Sequence, residues 1–86
     1  MLFTVDGIEF EICSMTGTGE RDGAGCELWV MNDNLGGQIV MEIFRNDEAK
    51  KIEFSSWSDY TVPLAAVENL IQFQDEYWGR IFTPLS

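Results

Sequence analysis

Eighty-six residues allow a single hydrophobic core and a single domain, 1–86, and the 45% apolar content is enough to close that core without staples. Fifteen Asp and Glu oppose five Lys and Arg, with no His, for a formal net charge of −10. That balance argues against direct binding of nucleic acid or an anionic membrane surface, both of which need clustered cations, and favours a basic protein partner drawn in by electrostatic steering.

The chain opens on Met1-Leu2-Phe3-Thr4-Val5-Asp6-Gly7, which has neither the basic start nor the apolar stretch of a secretory signal. No apolar run approaches the roughly eighteen residues of a membrane span. A cytoplasmic location is the expectation. Phe3, Val5, Ile8, Phe10 and Ile12 bracket Asp6-Gly7, a dipeptide suited to the positive φ angles of a two-residue hairpin turn. In that register Val5 faces Ile8 and Phe3 faces Phe10, so all the apolar side chains share one side.

Ser14 to Gly25 reads as a glycine-punctuated loop, followed by a third strand from Cys26 to Met31. Asn32-Asp33-Asn34 and Gly36-Gly37 supply a turn, and Ile39 to Phe44 forms a fourth strand. Asn46-Asp47 begins another turn, and Lys51 to Trp57 is the fifth strand. The hydrophobic period then changes. Leu64, Val67, Leu70, Ile71, Gln74 and Trp78 recur at helical spacing, widened by Ala66, Phe73 and Tyr77. Thr61 is the expected N-cap, Pro63 suits the first turn, and Gly79 stands where a C-terminal cap belongs.

These elements predict an α+β fold: a five-stranded antiparallel, meander-like sheet with one C-terminal helix packed on one face. The inner face is expected to carry Phe3, Val5, Ile8, Phe10, Ile12, Leu28, Val30, Ile39, Met41, Ile43, Ile52 and Phe54. The outer face then collects Glu9, Glu11, Glu27, Trp29, Glu42, Phe44, Glu53 and Trp57, with no further element to cover it.

Nucleophilic catalysis lacks support, because there is no His to serve as base and Lys50 and Lys51 fall in or beside a turn. Strand parity sets Cys13 opposite Glu27 and turns Cys26 to the other face, so free thiols are expected unless a bulge resets the register. Gly17-Thr18-Gly19-Glu20-Arg21-Asp22-Gly23 lacks the Lys-Ser/Thr of a phosphate loop and leads into a strand. Asn32-Asp33-Asn34-Leu35-Gly36 fails the ligand spacing of a calcium loop. Carboxylate pairs such as Glu9 and Glu11, or Asp75 and Glu76, are what fifteen acids produce by chance. No enzyme activity, cofactor or metal is therefore expected.

The acidic-aromatic face is a more specific signal. An indole displaces water at a contact while its N–H keeps one polar bond, and surrounding carboxylates can pair with a partner's Lys and Arg. An Arg can meet both, by hydrogen bonding and by stacking. Glu9, Glu11, Glu27, Trp29, Glu42, Glu53 and Trp57 are the expected partner-binding residues. The expected partner is a basic protein, such as a nuclease or another nucleic-acid-binding protein whose positive groove an acidic surface can fill. Immunity proteins and phage anti-defence inhibitors use this physics. The alternative is a structural or assembly subunit without an inhibitory role. The chain itself is expected to be a monomer or a weak homodimer.

Overall fold

Asp6 and Gly7 adopt φ angles of 52° and 76°. Two consecutive positive values are what a two-residue hairpin turn requires, because they match the right-handed twist of its strands. The structure, a computed structural model, describes residues 1–17, 22–32, 36–57 and 59–84. On either side of the turn, β1 (Leu2–Val5) pairs with β2 (Ile8–Gly17), with Val5 opposite Ile8 and Phe3 opposite Phe10. β3 (Gly23–Asn32), β4 (Gly36–Asn46) and β5 (Lys51–Ser56) follow, each antiparallel to the one before. The sheet order is β1-β2-β3-β4-β5, a simple meander, and α1 (Leu64–Tyr77) packs on one face. The α+β architecture expected from the sequence is the one found.

The central strands are longer than glycine punctuation suggests. Ser14 pairs with Cys26, Met15 with Gly25, Thr16 with Ala24 and Gly17 with Gly23, so both ends of the expected loop belong to the ladder. The reason lies on the next strand. A Cβ at Gly25 would stand 2.2 Å from the carbonyl oxygen of Ile43 and 3.1 Å from Phe44 Cδ1. Glycine is here a packing requirement of a strand interior, not a loop signal. Thr18–Arg21 of that loop, and Asp33–Leu35 of the next turn, lie outside the described residues.

A bulge between β3 and β4 corrects the expected inner face. Leu28 pairs with Met41 but Trp29 pairs with Ile39, so β4 has one residue, Val40, without an opposite number. An extra residue reverses the alternation beyond it. Val40 is accordingly buried in the core, and Ile39 moves out of it to the face that carries Trp29.

The core joins Phe10, Ile12, Cys26, Leu28, Val30, Val40 and Ile43 of the sheet to Ala66 and Leu70 of α1. Along the helix Ala66, Leu70 and Gln74 are buried, at four-residue intervals, while Leu64, Ile71 and Tyr77 are exposed. The buried stripe is therefore narrower than the expected one and rotated away from Leu64 and Ile71. Thr61 does not cap the helix: Pro63 occupies the N-cap position without a side-chain bond, and its carbonyl accepts from Ala66 and Val67. Gly79 ends the helix as expected, with φ 77° and its N–H on the Gln74 carbonyl at 2.9 Å.

Two contacts fix the helix end to the sheet. Trp78 Nε1 donates to the Gly25 carbonyl at 2.9 Å. Arg45, only 7% exposed, donates to both Asp47 oxygens, to the Trp78 carbonyl and to Thr83 Oγ1. One guanidinium thus ties β4, the turn after it, the helix C-terminus and the tail together.

Candidate functional site

The face of the sheet opposite α1 is ordered by its register into transverse rows. Leu2, Glu11, Trp29 and Ile39 form one row across β1 to β4. Cys13, Glu27, Glu42 and Ser55 form the next across β2 to β5. Met15, Gly25, Phe44 and Glu53 form a third. Strand alternation sets Glu9 beyond Glu11 on β2, whereas Trp57 lies just past the end of β5, where its N–H bonds the carbonyl of the core residue Val40 at 3.1 Å. Six of the seven expected binding residues, all but Trp57, therefore lie on one side of the sheet, and Glu11, Glu27 and Glu42 are contiguous around Trp29.

Exposure divides them. Glu9 is exposed, Trp57 is 44% exposed, and Glu11, Glu27, Trp29 and Glu53 are half-buried. Glu42 is 5% exposed and so offers little direct contact. Phe44, expected among the open aromatics, is 1% exposed because its ring beds against the side-chain-free strand at Gly23 and Gly25.

Trp29 is positioned by its own strand and by its neighbour. Its Nε1 donates to Glu27 Oε1 at 3.3 Å, two residues along the same face. The indole also lies by Gly37, where an added Cβ would come within 3.1 Å of Cε3. Glu27 directly faces Glu42 across β3 and β4. Like charges in that relation repel.

Cys13 and Cys26 are free thiols on opposite faces. Burial, followed by the Glu11 carboxylate, raises the Cys13 pKa, and Cys13 Sγ lies 3.6 Å from Glu11 Oε1. Cys26 is in the core, where burial first and then Glu42 and Glu27 push its thiol up to about 12. Neither is an activated nucleophile. Among the described residues no group of three or more Cys, Asp and Glu is arranged to hold a metal. No helix among them is long and apolar enough to cross a membrane.

Sequence reasoning missed two features of this region. Ile39 stands beside Trp29 because of the bulge, which leaves no mark in the hydrophobic pattern. The buried Arg45–Asp47 pair, 2.9 Å apart, sits within what sequence alone reads as a strand end and a polar turn. No protein-family model matches the chain, and no curated protein or solved structure is significantly similar to it.

Proposed function

We propose that this chain is a small acidic binding protein that inhibits a basic partner by occupying its nucleic-acid-binding surface, in the manner of immunity proteins and phage anti-defence inhibitors. The observation that carries the reading is the contiguity of Glu11, Glu27 and Glu42 around the half-buried indole of Trp29. A phosphate backbone presents a line of negative charge with flat bases beside it, and a row of carboxylates flanking an indole offers a similar target. A cationic groove would meet the carboxylates with Lys and Arg, and an Arg would stack on Trp29. Glu27 faces Glu42 across β3 and β4, so a cation of the partner would meet Glu27 with a second carboxylate beside it.

The test is retention of partner proteins from the native host on the immobilised chain, beside an Glu11→Gln/Glu27→Gln/Trp29→Ala variant. The native chain is expected to retain a basic, nucleic-acid-binding protein at low salt. Excess double-stranded DNA, or salt above a few hundred millimolar, should release it, because exposed charges more than about 10 Å apart are screened even at 0.1 M. Retention that is indifferent to salt and to DNA, or equal on the triple variant, would show that the carboxylates and the indole are not the binding surface.

A second reading, an assembly subunit of a larger complex, is favoured by a different observation. Ile52 and Phe54 of β5 and Ile71 of α1 are exposed together on the helix side of the sheet. On this reading that apolar strip is a permanent contact and the charge serves solubility.

A further inference from the structure

The helix covers the inner face only part of the way across. Ile52 and Phe54 pair with Arg45 and Ile43 and so point to the same side as the core, yet they are 40% and 57% exposed. With Ile43 and Ile71 they line a groove of about 270 Å³ between β5 and α1, rimmed by Asp75 and Arg80. Gln74 also lines it, and Gln74 Oε1 is buried without a hydrogen-bond partner among the described residues. β5 is the last strand of the sheet, so its outer edge is unpaired within the described fold. An open edge beside an uncovered apolar strip is a template for another strand.

We infer that β5 is the dimerisation edge of this protein, pairing antiparallel with β5 of a second copy about a two-fold axis. The choice of occupant follows from charge. Lys50, Lys51 and Arg80 are the exposed cationic side chains among the described residues, and all three flank β5 and its groove. Arg80 is ion-paired with Asp75, and Lys50 and Lys51 offset the acidic charge around β5, so among the described residues this is where cations collect and two identical chains would meet with less repulsion. Edge lysines ordinarily discourage strand addition. Here Lys51 alternates with Glu53 on one face of the edge, which makes the edge complementary to itself.

Two-fold registers that keep the faces aligned pair residues of the same parity. An axis at Ile52 sets each Lys51 directly opposite the second copy's Glu53. An axis at Glu53 sets each Ile52 opposite the second copy's Phe54 and brings each Lys51 diagonal to the second copy's Glu53, but it sets the two Glu53 side chains directly opposite each other and is the less favourable of the two. In both, the two grooves merge into one valley between two helices, and the exposed Ile52, Phe54 and Ile71 cover their own counterparts. Such an interface is isologous and closed, so it gives a dimer and not a fibre. The acidic faces lie side by side and stay open.

Sedimentation equilibrium of the purified native chain, from about 1 µM to about 1 mM, tests this without any partner protein. A monomer–dimer equilibrium is expected. Phe54→Asp and Lys51→Glu should each weaken it by at least about tenfold while leaving the circular dichroism unchanged, since Phe54 and Lys51 are exposed. The exchange Lys51→Glu/Glu53→Lys should recover the native constant to within about threefold. A native chain that stays monomeric up to the top of the range overturns the inference. So does a dimer that neither single substitution weakens, or one that the exchange does not restore.

Discussion

The ring of Phe44 lies against Gly25 on the neighbouring strand, so close that a Cβ there would stand 3.1 Å from Phe44 Cδ1. This contact closes part of the acid-bearing face and leaves Trp29 there as a half-buried indole. It also explains why a glycine persists in mid-strand, where it would otherwise weaken the ladder.

Gly25→Ala is therefore expected to destabilise the fold by about 3 kcal/mol, since its methyl group meets backbone at Ile43 as well as the ring. For a domain this small that corresponds to a fall in Tm on the order of 10–20 °C. Thermal unfolding followed by circular dichroism measures it, and an unchanged Tm would contradict the packing described.

Arg45→Met should be more damaging than loss of an exposed ion pair, because it leaves Asp47 buried without its guanidinium. Breaking a buried pair from one side costs about 3–5 kcal/mol. Urea titration is the measurement. The double variant Arg45→Met/Asp47→Leu is expected to recover part of that loss, which would separate the buried charge from the lost contacts to Trp78 and Thr83.

Glu27→Gln should move stability and binding in opposite directions. Removing one of two facing carboxylates is expected to stabilise the free chain by about 0.5 kcal/mol. The same change should weaken the proposed partner complex. Trp29→Ala should weaken that complex more, by about 2 kcal/mol if the indole is a hot spot. Paired melting curves and titrations decide it; a Glu27→Gln chain that binds more tightly would count against an electrostatic role for this face.

The cysteines give a pH prediction. Cys26 binds its proton more tightly folded, near 12, than the ordinary thiol value of 9.0. Its contribution to stability is therefore complete below about pH 9 and is lost as pH rises from there toward 12. Stability of the native chain should fall over that window more steeply than that of Cys26→Ala. At pH 8 both thiols should resist alkylation in the folded state, with Cys13 reacting first, because burial and Glu11 suppress but do not bury its thiolate as completely as the core does Cys26.

Much of this protein was decided locally and so was legible in its residues. The Asp6-Gly7 turn, the Val5–Ile8 register and the glycine at the end of α1 each depend on backbone preferences over a few positions. Six of the seven candidate residues, all but Trp57, share one side of the sheet for the same reason, since alternation of period two is a local rule. The fold class followed from the change of hydrophobic period after Trp57.

Other features depend on what stands across the sheet, and only the tertiary structure decided them. Val40 enters the core and Ile39 leaves it because β4 bulges against β3, a relation between two strands that neither sequence segment carries alone. Gly23 and Gly25 look like loop residues until Phe44 needs their bare backbone. Ile52 and Phe54 alternate as core residues should, yet remain uncovered, because one fourteen-residue helix cannot span five strands. Which apolar side chains find partners is fixed by the placement of that helix over β3 and its neighbours, and placement is a property of the packed molecule.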